Sequence, residues 1–366
     1  MQTLLFNLPT KIIMGNNCIQ EHADVFKLGK KALIVTGHHS AKNNGSQADV
    51  ETVLKKHNID YALFDEVNSN PDIPTVYKGA EFAKKEQADF IIAIGGGSPM
   101  DAAKAIALLA CQDIKEENLF SGQYDDKVLP MIHIPTTSGT GSEVTQYSIL
   151  SNDNAKTKTT IATPLIFPAY ALLDARYQEN LPLTITVNTA LDALSHNIES
   201  FLSLKINSLI SQITQSGIKQ IGDCFTALEN NNITAEIREK LMYSSLMGGI
   251  AIAHTGTNIV HSLGYSLTYF RHIDHGRANA LTIAEYLEFI AKNNPDKVKI
   301  ILNCMNLPDV AAFKAKLTAL LGEQEHFSLE ELQSYTKIAL KAKNINTSLT
   351  CPTKDDVLNL YKQSLI

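Results

Sequence analysis

The sequence has no CxxC pair. Its five cysteines, Cys18, Cys111, Cys224, Cys304 and Cys351, are scattered singly. Neither a disulfide framework nor a cysteine-built structural zinc site is indicated. No apolar run reaches the ~18 residues of a membrane span. Basic residues are not in excess: 32 Lys and Arg stand against 38 Asp and Glu, a net charge of −6. Phosphate binding needs a basic surface, so nucleic acid is excluded as a main partner, though a small basic pocket is not. The start, MQTLLFNLPTKIIMG, lacks the basic segment of a secretory signal, and Pro9 interrupts its apolar stretch. A reduced, soluble, cytoplasmic protein with no membrane partner is expected.

What is present is an ordinary globular composition, 44% hydrophobic and 19% charged, over 366 residues. That length suggests two domains. The first half alternates short apolar runs with helical stretches. Lys31–Thr36, Tyr61–Phe64, Asp89–Ile94, Met131–Pro135 and Ala169–Asp174 read as strands, with helices at Ala48–Asn58, Asp72–Gln87 and Ser98–Cys111. The β-α-β-α order implies a doubly wound, mostly parallel sheet. Residues 1–15 could add an edge strand. Beyond Leu181 strand signals nearly vanish. Ile185–Leu204, Asn207–Glu229, Ala235–His254, Ile259–Tyr269 and Ala278–Asn293 all read as helices. The expected organisation is an α/β domain over 1–180 and an all-α domain over 181–366.

Two loops follow strands in the first half. In IIAIGGGSPMDAAKAIALL, Gly95, Gly96 and Gly97 lie between a buried strand and a helix. Ser98 suits the N-cap, Pro99 the first helical position, and Asp101 a capping-box-like partner for Ser98. Backbone N–H groups and the helix dipole would bind a pyrophosphate there. Alone, the triplet also suits a tight turn with no ligand. The second loop, Pro135 to Glu143 (PTTSGTGSE), is dense in glycine and hydroxyls. Two such loops at the carboxyl ends of parallel strands favour a bound nucleotide.

In the second half Asp192 and His196 are four residues apart, on one face of a helix, with Glu199 close to that face. His261 and His275 follow. Imidazoles with one carboxylate suit a divalent first-row metal such as Fe2+ or Zn2+. A pair alone is more often a surface contact or a helix cap than a ligand set, and His261 alone suits a core histidine. Spacing does not show that the four converge.

Four motifs in this order resemble the iron-containing (group III) alcohol dehydrogenases over essentially the whole chain: GGGSPMDAAKA (95–105), IPTTSGTGSEVT (134–145), DALSHNIES (192–200) and HSLGYSLTYFRHIDHGRANA (261–280). The similarity is greatest to the bacterial 1,3-propanediol, butanol and lactaldehyde dehydrogenase branch. The resemblance implies the two-domain architecture above, shared with dehydroquinate synthase. It implies hydride transfer between a nicotinamide nucleotide and a short-chain alcohol or aldehyde, in a homodimer. It puts an Fe2+ ion, with Zn2+ possible, on Asp192, His196, His261 and His275. It puts the pyrophosphate on Gly96, Gly97 and Ser98 beside Asp101, with Thr136, Thr137, Thr140 and Thr145 in the second loop. Ile149 falls near the nicotinamide, Lys158 near the ribose and Asn70 near the adenosine.

NAD-selective relatives tend to carry Asp after the first strand of this domain. Here Gly37 stands there, followed by His38, His39, Ser40 and Lys42. The resemblance therefore implies NADP(H) in preference to NAD(H). Some relatives carry a further His four positions after the third ligand; here it is Tyr265. Relatives often begin the helix after HGRANA with Leu-Pro, where this chain has Thr282-Ile283, so a shifted helix start is expected. The alternatives are a glycerol or hydroxy-acid dehydrogenase of the same superfamily, a dehydroquinate-synthase-like lyase, and a nucleotide-binding protein without activity.

Overall fold

The computed structural model describes residues 4–323 and 325–366. They form two compact units. One is Leu8–Thr137 with Gly141–Leu181; the other is Pro182–Ile366 with Ser138–Thr140 and residues 4–7.

In chain order the first unit contains β1 (Lys11–Met14), α1 (Cys18–Glu21), β2 (Lys31–Thr36), α2 (Ser40–Asn43), α3 (Ser46–Lys56), β3 (Asp60–Phe64), α4 (Ile73–Lys85) and β4 (Phe90–Gly95). Then come α5 (Gly97–Cys111), β5 (Met131–Pro135), β6 (Tyr147–Asn152), β7 (Thr157–Ala162) and β8 (Tyr170–Leu173). Six strands make one sheet in the order β1-β8-β5-β4-β2-β3, every pair parallel. The expected extra edge strand is β1, so β8 lies one place inside the edge.

Strand alternation sorts the side chains between the two faces. Leu33, Ile91 and Met131 align across β2, β4 and β5 and pack with α4 and α5. Ile34, Ile92 and Ile132 align on the opposite face and pack with α1 and α3. Every residue of β4 is buried, as a central parallel strand covered on both faces requires. The antiparallel hairpin β6–β7 was not expected. TKTTIA and YSILSN are too polar to stand out by apolar pattern, and of β7 only Ile161 is buried.

The second unit is helical: α6 (Leu183–Phe201), α7 (Ser208–Glu229), α8 (Ala235–Thr255), α9 (Ile259–Arg271), α10 (His275–Ala291), α11 (Pro295–Cys304), α12 (Val310–Leu321), α13 (Leu329–Ala339) and α14 (Lys354–Leu365). Side-chain oxygens of Asn207, Thr234, Asp309, Ser328 and Thr353 cap the starts of α7, α8, α12, α13 and α14. Among the described residues no helix is long and apolar enough to cross a membrane. The cysteines are all free.

α6 is the central helix. Every residue from Ala190 to Phe201 is buried, including Asp192, His196 and Glu199. α10 crosses it closely. A Cβ on Gly276 would lie 1.9 Å from the Asn188 carbonyl oxygen and 2.9 Å from Asp192 Cβ. Only glycine permits that approach. α10 starts at His275, so Thr282 is deep inside it and the expected shift in helix start does not occur there. Gly276→Ala is predicted to cost about 1–3 kcal/mol by overpacking. Urea denaturation would show it as a lower midpoint.

Candidate functional site

The four acid and imidazole side chains come from three helices of the second unit. Asp192 and His196 lie one turn apart on α6, His261 in the first turn of α9, and His275 at the start of α10. Asp192 Oδ1 is 4.0, 3.7 and 3.9 Å from Nε2 of His196, His261 and His275. Donor atoms sharing one ion lie within about 4 Å of each other, twice a bond of ~2.0–2.2 Å. The donor atoms of Asp192, His261 and His275 all lie within 4.8 Å of one another and fit a single divalent cation, with His196 4.0 Å from Asp192 beside them. The side chains of Asp192, His196 and His261 are almost fully buried, while that of His275 is 20% exposed.

Local partners fix the ring tautomers. Nδ1 of His196 faces the Gly139 carbonyl at 3.2 Å, and Nδ1 of His261 faces the Glu199 carboxylate. With the proton on Nδ1, each ring turns an Nε2 lone pair toward Asp192 Oδ1. These lone pairs meet 2.9 Å apart. A proton or a metal cation shared between them makes that approach favourable, and the Asn279 amide lies 3.2 Å from the His261 nitrogen. Burial works to raise the Asp192 carboxyl, but the imidazoles of His196, His275 and His261 outweigh it and hold it below its ordinary value. Burial lowers His196 despite the opposing pull of Asp192.

Two of the helices, α9 and α10, add a neighbour four residues on. Asn279, on α10, donates from Nδ2 to Asp192 Oδ1 at 2.9 Å and lies 3.2 Å from Nε2 of His261. Tyr265, on α9, stacks on His275 with ring centroids 5.7 Å apart and meets His261 edge-on.

In the first unit the predicted nucleotide residues gather at the carboxyl ends of β2, β4 and β5. Thr36 is level with Ile94, and Gly95 with Pro135. Gly95 has φ 148°, which favours glycine. The expected Ser98 N-cap and its box with Asp101 do not form. α5 starts at Gly97 behind an N-cap at Gly96, with no side-chain cap. Ser98 Oγ instead accepts from the backbone N–H of Asn70 at 3.1 Å. Asp101 accepts from Ser142 Oγ at 2.6 Å and from the Ile149 backbone N–H at 3.2 Å. Both side chains stitch neighbouring loops together, so neither is available to its own helix end. Lys158 pairs with Ser151 across the hairpin, and Ser151 Oγ donates to the Asn70 carbonyl at 3.1 Å. Thr136 N–H donates to Gly95 at 2.9 Å, and a Cβ on Gly96 would press on Thr137 Oγ1 at 3.1 Å. Thr140 groups with the helical unit. Gly37 to Ser40 follow β2, where His38 Nε2 lies 3.1 Å from Asn68 Oδ1.

Comparison with known proteins decides the family. Residues 9–175 match the family described as iron-containing alcohol dehydrogenase, and residues 186–365 match its C-terminal counterpart. The chain belongs to the iron-containing alcohol dehydrogenase family. It is 33% identical over 287 residues to alcohol dehydrogenase 4 of Saccharomyces cerevisiae, covering 77% of this chain and 75% of that protein. It is 30% identical over 352 residues to the NADPH-dependent butanol dehydrogenase of Clostridium saccharobutylicum, covering 94% and 85%. The crystal structure of an iron-containing alcohol dehydrogenase from Thermotoga maritima superposes with a TM-score of 0.92 at 34% identity, covering 99% of each chain. The protein is thus an oxidoreductase of a family that uses NAD(P). Its parallel α/β unit and helical unit are those of that family.

Reading the sequence of this alcohol dehydrogenase missed Lys104. It is completely buried in α5. Its ammonium donates to Ser142 Oγ at 2.8 Å, Thr145 Oγ1 at 3.1 Å and the Tyr147 carbonyl at 2.8 Å. Three acceptors satisfy all three protons and tie the second loop to the helix behind the first. The signal was a lone cation in the apolar run AAKAIALLA. Burial lowers Lys104 to about 8 against the pull of Asp101 and Glu143. The buried Glu143 is pushed up to about 7 by burial, opposed by its backbone hydrogen bond and by Lys104. His133 beside them is held well below its ordinary value by burial and by Lys104, and neither ring nitrogen has a partner.

A glutamate with a raised folded-state pKa binds its proton more tightly when folded. Its contribution is present at low pH and is lost as pH rises from the unfolded value, ~4.3, towards 7. Glu143→Gln should therefore gain stability relative to the parent across that window and level off above it. The expected gain is roughly 1–3 kcal/mol at pH 8. Paired urea melts from pH 4.5 to 8.5 check it; a pH-independent difference would refute the assignment.

Proposed function

We propose that this protein is a metal-dependent alcohol dehydrogenase that interconverts short-chain alcohols and aldehydes with NADP(H), its ion held by Asp192, His196, His261 and His275. The observation that carries the reading is the convergence of three imidazole Nε2 atoms on Asp192 Oδ1. When bound, the ion supplies Lewis acidity towards an alcohol or carbonyl oxygen, and the nicotinamide supplies or accepts the hydride. The chain's own part is to hold the ligand set in its unprotonated form. Glu199, the Gly139 carbonyl and Asn279 serve that end. Tyr265 lies against His275 where some relatives have an imidazole, so no histidine stands at that position to relay the proton.

NADP(H) rests on Gly37, which puts no acid after β2, and on similarity to an NADPH-dependent butanol dehydrogenase. One feature weighs against it: Lys42 is paired with Asp65, after β3, at 2.8 Å. A homodimer fits the open sheet edge at β1 and the exposure of Leu5, 78%. The lyase alternative needs basic residues for an acidic substrate. Arg271 and Arg277 are instead engaged with Glu331 at 2.8 Å and Glu325 at 2.6 Å.

Aldehyde reduction should appear when purified enzyme receives Fe2+ or Zn2+ with NADPH, and vanish on chelation. His261→Ala should lose bound metal and activity together; full activity in metal-free protein would contradict the reading. kcat/KM should favour NADPH over NADH by about tenfold or more, the worth of one charge-assisted hydrogen bond. A preference for NADH would remove the NADP assignment and leave the metal reading standing.

A further inference from the structure

We propose that Glu199 is the positioning residue of the metal centre, holding His261 in the one tautomer that can bind an ion and fastening the first turn of α9 in the same act. The inference rests on the metal reading above.

Glu199 is on α6, three residues beyond His196, and is completely buried. Its two oxygens divide the work. Oε1 accepts the backbone N–H groups of Asn258, Val260 and His261 at 3.0, 2.7 and 3.3 Å. These are N–H groups at the start of α9 that have no partner within the helix. Oε2 meets Nδ1 of His261. In return, Asn258 Nδ2 donates to the Glu199 backbone carbonyl at 2.9 Å. The side chain that sets where α9 begins thus also sets which nitrogen of His261 carries the proton. A carboxylate suits both tasks because it only accepts. It also makes the Nε2 lone pair of its histidine a stronger donor than a neutral acceptor would. His196 has only the Gly139 carbonyl in the equivalent place.

Glutamine separates the tasks. With its oxygen at the Oε1 position, Glu199→Gln keeps the three backbone bonds of α9. Its amide NH2 then faces Nδ1 of His261 and drives the ring proton to Nε2, where a metal cannot bind. The reverse orientation would set the NH2 against three N–H donors and is disfavoured. Zn2+ affinity, read by competition with a chromophoric chelator, should therefore fall by about 10- to 100-fold. NADPH binding and the thermal midpoint should stay close to the parent's.

Parent-like Zn2+ affinity in Glu199→Gln, with metal lost in His261→Ala, overturns the Glu199 inference alone. A parent protein that takes up no metal, or a His261→Ala variant that keeps it, overturns the metal reading and this inference with it. If Glu199→Gln does not fold, histidine 15N shifts of the Zn2+-loaded parent decide, with the His261 signal assigned by its absence in His261→Ala. A proton on Nδ1 is expected, and a proton on Nε2 overturns the proposal.

Discussion

The structure of the helical unit turns on one buried carboxylate. Asp192 is 2% exposed on a helix buried along most of its length. An ionised carboxylate there is tolerable only with compensating groups around it. Three imidazoles and the Asn279 amide supply them, and they come from α6, α9 and α10. The crossing of those helices is therefore dictated by electrostatics as much as by apolar packing. Gly276 lets α10 come close enough to deliver His275, and Glu199 ties the start of α9 to α6 to deliver His261. The same packing that lets the helices meet gathers the imidazole nitrogens around the Asp192 carboxylate, an arrangement that suits a cation.

The α/β unit solves a different problem with a similar device. The two loops after β4 and β5 are glycine- and hydroxyl-rich, and such loops lack the apolar side chains that would fix them. Polar groups fix them instead. Lys104 reaches from α5 to two hydroxyls of the second loop and to the carbonyl of Tyr147 at the start of β6, and Asp101 to Ser142 and Ile149. Ser98 and Ser151 hold the Asn70 turn. Satisfied buried networks of this kind rigidify a site, at the cost of strongly shifted protonation equilibria.

Much of this was legible beforehand. β4 showed itself as a continuous apolar run because a central parallel strand is buried on both faces. Long helices such as α7 and α8 were found to within a residue or two, because periodic apolar patterns mark them. The β6–β7 hairpin was not found, since its exposed polar faces erase that signal. The capping box at Ser98 and Asp101 was a sound local inference that tertiary partners overrode. Glu199 was noticed only as a neighbour of the ligand face, because its partners are some sixty positions away in α9.

The sequence by itself determined the α/β and helical units, the position of the glycine-rich loops after β4 and β5, and the i, i+4 placement of Asp192 and His196. Each is a local matter of apolar period, glycine content or helical geometry. Only the tertiary structure decided that His261 and His275 meet that pair, that Glu199 and Gly139 fix the imidazole tautomers, and that Lys104 joins the two loops. Those outcomes depend on which helix faces which neighbour, and no local pattern encodes a distance across the fold.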